Sequence, residues 1–457
     1  MPIKSNVLLI AVIAATGGLL FGFDTGVISG ALPFLKDYWK LNDTDLELLT
    51  TAVLIGAVLG AISSGKLSDY LGRKKMIIIN AIIFTVGAMG CGYAQSFNLL
   101  LIMRIIVGVA IGITSYVVPM YISEISPAAK RGALVTLNQL MITIGLLASY
   151  IADYDFSDNN NPESWRWMFI VGLFPALILL IGMFFLPETP RWLISKNRLQ
   201  EGKKILMSVE DPLLINDIYK ELIKDNELAS GQQSEVKEIL KPWLRPALII
   251  TIGIFFFQQF SGVNTIIYYS PIIFKMAGIT GNSTSIIPSI IIGIVNVFAC
   301  VVSIVFLDRI GRRKLYIIGI MGMIPSLAIA GICFIFKAEL GSSLIYLSVL
   351  SIVSFIIFIN ISLSPLGWLL ISEVFPVKVR GLGMSIGSLS HWGFNAIIAF
   401  TFLTLANGIG IGGTFCLYAA VCVVGLIWGY YYIPETKGKT LEQIEEHWRQ
   451  GKSPRSL

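Results

Sequence analysis

Residues 69–75 read Asp69-Tyr70-Leu71-Gly72-Arg73-Lys74-Lys75, and residues 308–314 read Asp308-Arg309-Ile310-Gly311-Arg312-Arg313-Lys314. The order of acid, glycine and basic run recurs 239 positions later. Glu124-x-x-Pro127-x-x-x-Arg131-Gly132 recurs as Glu373-x-x-Pro376-x-x-x-Arg380-Gly381, 249 positions on. Pro187-Glu188-Thr189-Pro190-Arg191 recurs in part as Pro434-Glu435-Thr436-Lys437-Gly438, 247 positions on. Three motifs at nearly one offset indicate an internal duplication. Turn glycines with scattered positive charge would account for Arg73 or Lys74, but not for matched acids.

Long apolar runs separate the motifs. The 457 residues are 55% apolar and 14% charged, with a mean hydropathy of +0.77. Soluble domains carry about 25% charged residues. Runs such as 76–94, 168–186 and 247–260 exceed what a soluble core needs. This excludes a soluble enzyme, a disordered chain, a collagen and a disulfide scaffold. A crossing takes about 20 apolar residues. Twelve spans follow: 7–35, 48–65, 76–93, 97–121, 133–151, 167–186, 247–274, 286–307, 315–336, 344–371, 382–405 and 412–433. The strict alternation of a membrane β-barrel is absent. The expected fold is all-α and polytopic, with twelve transmembrane helices in two pseudo-symmetric six-helix bundles. The expected parts are 1–186, a polar linker 187–246 with short amphipathic helices, 247–433, and a tail 434–457. Leu206, Leu213, Leu214, Ile218 and Leu222 give the linker its apolar stripe. Lys4 followed by a long apolar run reads as a retained first span.

Of 34 Lys and Arg residues, 28 fall on one set of loops and 5 on the other. The positive-inside rule makes the first set, with both termini, cytoplasmic. Basic residues form no single face, so nucleic acid is not an expected partner. The five cysteines lie in apolar runs, without metal or disulfide spacing. No cofactor or metal is expected, and no catalytic constellation appears.

On this map two formal charges remain inside spans, Asp24 in the first and Arg104 in the fourth. A charge at the bilayer centre costs at least about 2.5–3.5 kcal/mol, so such residues are paired or functional. Their depths, about 16 and 10 Å, permit pairing. One reading is a static ion pair. The other is proton coupling, with the acid as the titrating member because arginine keeps its proton. The span-end charges Asp69, Arg73, Glu124, Arg131, Glu188, Arg191, Asp308, Arg312, Glu373, Arg380 and Glu435 read as a gating salt-bridge network that biases two conformations.

Uncharged polar groups occupy the middle of several spans. The seventh reads Phe255-Phe256-Phe257-Gln258-Gln259-Phe260-Ser261-Gly262-Val263-Asn264, then Tyr268-Tyr269, with Gly262 and Pro271 expected to break the helix. Gln139, Asn296, Asn360, Trp368, Trp392 and Asn395 add to the set. Amides both donate and accept, as sugar hydroxyls do, and tryptophan offers a flat apolar face. Helix–helix glue is the competing reading for any single amide. No cluster of cations suits an anionic ligand.

These motifs together resemble the sugar porters of the major facilitator superfamily, over essentially the whole chain. The resemblance rests on the Gly-Arg-Lys/Arg repeats at 72–75 and 311–314, Pro-Glu-Thr-Pro-Arg at 187–191, Gln-Gln-Phe-Ser-Gly-Val-Asn at 258–264 and Pro-Glu-Thr-Lys-Gly at 434–438. It implies transport of a neutral monosaccharide, a hexose or a pentose, by alternating access. It places Gln139, Gln258, Gln259, Asn264, Asn296, Trp368 and Asn395 on the sugar, with Trp392 lining the site. Phe21-Gly22-Phe23-Asp24 resembles the motif whose acid serves proton-coupled members, and Arg104 matches its partner. His391 departs from the Asn or Gln of many relatives and is a further candidate ligand. Leu146 replaces a Gln resembling a xylose-specific contact, which favours glucose-like hexoses over a pentose. Asn360 replaces a Glu of animal glucose carriers. Asn282-Ser283-Thr284 is the external sequon on this map. The expectation is a proton-coupled monosaccharide symporter, monomeric, in a bacterial inner membrane, with sugar, proton and lipid bilayer as partners. Its alternatives are an uncoupled facilitator and a non-transporting sugar sensor.

Overall fold

The computed structural model describes residues 5–127, 130–229, 236–376 and 378–457, without the side chains of 5, 6, 225–229, 236, 237, 304, 305, 307 and 308. The first half comprises α1 (Ser5–Trp39), α2 (Asp43–Leu71), α3 (Arg73–Gly92), α4 (Phe97–Ile125), α5 (Arg131–Asp155), α6 (Ser164–Val171) and α7 (Leu173–Phe185). A break at Gly172 separates α6 from α7 within one span. Short helices α8 (Pro190–Ser195), α9 (Leu199–Val209), α10 (Ile215–Ala229) and α11 (Val236–Ile239) fill the linker. The second half comprises α12 (Arg245–Phe260), α13 (Val263–Met276), α14 (Asn282–Ile310), α15 (Arg312–Ile335), α16 (Lys337–Leu340), α17 (Ser343–Ile361), α18 (Leu363–Val374), α19 (Arg380–Tyr432) and the tail helix α20 (Leu441–Arg449). All spans are helical because a bilayer offers backbone groups no other partners.

Helix α19 has 53 residues, about 80 Å at 1.5 Å per residue, far beyond a 30 Å hydrocarbon core. Gly410, with φ +77° and ψ 154°, breaks it into two crossings. The described residues therefore hold twelve spans. The chain divides into two compact units. One contains Met1–Asp24, Gly56–Ala148 and Phe169–Gln233; the other contains Thr25–Ile55, Ser149–Met168 and Ser234–Leu457.

Three local expectations need correction. Leu213 and Leu214 are 85% and 51% exposed, whereas Leu206 is buried. Pro212 cannot continue α9, so helical spacing does not carry across it. Pro271 lies inside α13 without breaking it, and the break in span 7 falls at Gly262 alone, φ +84°. A Cβ there would meet the Tyr418 ring at 2.3 Å. The break also frees little backbone. Ser261 Oγ donates to Gln258 O, and Thr265 Oγ1 donates to Gly262 O. Finally, two acids assigned to loops are buried: Asp153 at 0% and Glu47 at 1% exposure. Helices α5 and α2 run past the apolar stretches and carry these acids with them.

Candidate functional site

In the first unit, Arg104 Nη1 donates to Asp24 Oδ1 at 2.7 Å, with both side chains almost wholly buried. The guanidinium lies 5.6 Å from the Phe169 ring centre, a cation–π contact. Asp24 Oδ2 and Arg104 Nε are buried without a hydrogen-bond partner. The small residues of α1 and α5 let these helices approach closely. A Cβ at Gly22 would lie 1.8 Å from Ile142 O, and one at Gly145 would lie 2.1 Å from Leu19 O. Buried Leu146 joins that contact. Phe21 is half-buried on α1, and Gln139 is exposed on α5. Its neighbour Asn138 is the buried amide here, with Oδ1 unpartnered.

In the second unit, α12, α13 and α19 assemble the amides. Gln259, fully buried, accepts at Oε1 from Asn264 Nδ2 (2.7 Å), and its Nε2 lies 3.1 Å from His391 Nδ1. Gln258 Nε2 donates to Leu363 O at 3.3 Å, beside the α17–α18 break. Asn395 Nδ2 donates to Tyr268 Oη at 3.0 Å. The His391 ring centre lies 5.2 Å from Trp368 and 5.1 Å from Trp392. Phe255 closes the aromatic group, 5.2 Å from Trp368. Three side-chain amide oxygens among the described residues of this unit are buried with no partner: Gln258 Oε1, Asn296 Oδ1 and Asn395 Oδ1. Buried acceptors are rarely left unpaired, so a hydroxyl-bearing ligand or water suits them. Asn360 is satisfied within α17, donating to Ile356 O.

The duplicated motifs build two matching clasps, each inside one unit. Glu188 accepts from the amides of Arg73 (3.1 Å) and Lys74 (3.1 Å to Oε2) at the start of α3. Glu435 does the same for Arg312 (2.9 Å) and Arg313 (3.3 Å) at the start of α15. A helix N-terminus attracts an anion, which explains the paired acids better than side-chain pairing alone. Arg73 bridges Asp69 (3.0 Å) and Glu124 (3.1 Å), and Arg312 holds Glu373 (2.8 Å). Thr189 and Thr436 donate to Glu124 and Glu373 at 2.6 and 2.5 Å. Burial pushes the Glu188 carboxyl above its ordinary range, against the pull of the Thr189 and Lys74 amides. Arg131, Arg191 and Glu124 line a cavity of about 90 Å³. Arg380 is half-buried, with Nε and Nη2 unbonded. The Asp308 side chain lies outside the described residues.

Gly72 and Gly311 have φ of +99° and +95°. A Cβ would meet the Glu188 carboxylate at 2.3 Å and that of Glu435 at 2.6 Å. Gly72→Ala and Gly311→Ala should each cost about 1–3 kcal/mol, from strain and loss of the carboxylate cap. Thermal melting in detergent checks this; an unchanged midpoint would contradict the clasp.

Sequence reading missed the polar groups at the opposite end of the second unit. Glu47 accepts from Thr404 N and Oγ1, each at 2.8 Å. Tyr269 Oη donates to Ala399 O, one turn earlier in α19. Asp43 accepts from Asn407 at 2.7 Å, and Asp37 from Asn282 at 2.9 Å. Apart from Lys36, which pairs with Asp43 at 2.7 Å, their partners are backbone groups, a hydroxyl and amides distant in sequence, which leave no sequence signal.

Twelve helical spans, a buried ion pair and uncharged amides with idle acceptors define a membrane carrier of a small polar solute. The family model described as "Sugar (and other) transporter" matches residues 10–448. The glucose transporter GlcP of Staphylococcus epidermidis is 39% identical over 447 residues, 98% of each chain. The galactose-proton symporter of Escherichia coli is 36% identical over 457 residues, 99% of this chain and 97% of its own. The structure of the proton:xylose symporter XylE bound to 6-bromo-6-deoxy-D-glucose matches with a TM-score of 0.79 and 28% identity, covering 98% of this chain and 100% of that one. The chain belongs to the sugar porters of the major facilitator superfamily. It is a multi-pass membrane protein that transports sugar, and not an enzyme.

Proposed function

We propose that this porter couples a proton to a neutral monosaccharide, a glucose-like hexose, by alternating access. The observation that carries the coupling is Asp24: one carboxylate oxygen binds Arg104, and the other is buried and idle. The idle oxygen is a seat for a proton. Taking one weakens the tie to Arg104, and losing it restores the pair. Gln258, Gln259, Asn264, Asn296 and Asn395 bind sugar hydroxyls in this reading, with Gln139 contributed from α5. Trp368, Trp392, Phe21 and His391 line the ring faces. Similarity to a glucose transporter and to a galactose-proton symporter supports both halves of the proposal.

The basic end carrying the two clasps faces the cytoplasm, with both termini, by the charge bias of the loops. The membrane is the cytoplasmic membrane of a bacterium and the carrier acts as a monomer. The bundles 1–186 and 247–433 are the moving halves, joined by 187–246. The clasps, with Arg131, Arg191, Asp308 and Arg380, gate the cytoplasmic end.

A second reading, an uncoupled facilitator, is favoured by the direct 2.7 Å Asp24–Arg104 bond, which neutralises both charges without a proton. Reconstituted protein separates the two. Glucose, galactose, xylose and arabinose are compared in counterflow, then in uptake driven by an imposed pH difference, with and without an uncoupler. Symport gives uphill hexose uptake that the uncoupler abolishes. Equilibration indifferent to both would establish the facilitator.

A further inference from the structure

Asp153, like Glu47, is an acid buried in a span apart from Asp24, and it lies on α5. It is fully buried. Its Oδ2 accepts from Gly30 N of α1 at 3.2 Å, and its Oδ1 is buried without a partner. The fit is tight, since a Cβ at Gly30 would lie 2.4 Å from Oδ2. Among the described residues it has no ion-pair partner. The ionisable group that interacts with it is the phenol of Tyr150 on its own helix, and Tyr150 in turn interacts with Tyr268 of α13; Tyr154 and Asp155 follow at the end of α5. Tyr150 Oη donates to Ile267 O at 3.1 Å and bonds Ser270. Ser270 Oγ continues to Ser29 of α1 (3.2 Å) and Ser289 of α14 (2.6 Å). The groups of α1 and α14 that bond to this cluster are thus Gly30, Ser29 and Ser289, none of them charged.

An ionised carboxylate with one amide and no cation is expensive in a buried site. The arrangement seen here suits the carboxylic acid. Gly30 lies six residues beyond Asp24 on the same helix, about 9 Å along its axis. A local bend of α1 within its own half that changes the surroundings of one acid therefore acts on the other through the same helix.

We propose that Asp153 is a proton-dependent latch on α1, a positioning residue that sets the pH range of transport. Protonated, it seats against Gly30. When α1 withdraws, the O–H bond breaks, the proton passes to water, and the carboxylate stays hydrated. The proton must return before α1 can reseat. High pH then holds the withdrawn arrangement and slows exchange. The proposal rests on the carrier reading but not on proton coupling.

The test is Asp153→Asn in proteoliposomes, which keeps an acceptor for Gly30 N and removes the titration. Equal pH on both sides isolates the latch, because counterflow needs no gradient. Wild-type counterflow should fall at least fivefold from mildly acid to alkaline pH, and the variant should vary less than twofold. Parallel profiles would overturn the latch. Uphill uptake by the same variant at acid pH reports coupling separately: its loss from wild type and variant alike counts against symport, not the latch. Dicyclohexylcarbodiimide, which modifies protonated carboxyls in apolar surroundings, gives a readout on unmutated protein. Mass spectrometry should find Asp153 modified at acid pH and spared at alkaline pH. Absence of modification at every pH would also overturn the proposal.

Discussion

Asp24→Asn should reduce the steady-state accumulation ratio of a hexose to about one while counterflow persists within a few-fold. One coupled proton supports about tenfold accumulation per pH unit, since a unit is worth 1.36 kcal/mol. A two-unit difference therefore sustains about 100-fold in the unmutated protein. Asparagine keeps an oxygen for Arg104 Nη1, so the 2.7 Å contact and the packing of Phe169 on the guanidinium survive. It has no site for the proton that the idle Oδ2 would take. Arg104→Leu is a poorer experiment. It strands an uncompensated acid, which costs about 3–5 kcal/mol and confounds coupling with folding. Undiminished uphill transport by Asp24→Asn would remove Asp24 from the coupling mechanism and leave the sugar site untouched.

The spans were legible because apolar length is a one-dimensional property. Even the 53-residue α19 was read as two crossings, 382–405 and 412–433, and Gly410 falls between them. Other features depended on partners that sequence does not display. Glu188 and Glu435 announced themselves by repetition, yet their main partners are backbone amides at the starts of α3 and α15. Glu47 and Asp153 were assigned to loops because hydropathy falls near them. The helices continue, and Thr404 N and Gly30 N receive the acids inside the protein. The same limit applies in the polar cluster. Gln139 and Asn138 are adjacent and chemically alike, and only the register of α5 decides that Asn138 is the buried one.

Gln259→Leu should weaken sugar binding about 10- to 100-fold, the second large effect. Leucine nearly matches the volume, so the change removes bonds more than packing. Gln259 serves two partners at once, Asn264 through Oε1 and His391 through Nε2. A sugar hydroxyl left without its Gln259 partner in the buried site costs the complex about 1–3 kcal/mol, and a tenfold change in affinity is 1.4 kcal/mol. Asn264 and His391 would also lose the bonds that fix their orientation. His391 sits between Trp368 and Trp392, so its rotation disturbs the aromatic walls as well. Calorimetric titration with the hexose, paired with thermal melting of the unliganded protein, divides the two roles of the amide. Weaker binding with a nearly unchanged melting temperature identifies a ligand site. A lower melting temperature with unchanged affinity would make Gln259 a strut between α12, α13 and α19, and would move the sugar away from this cluster.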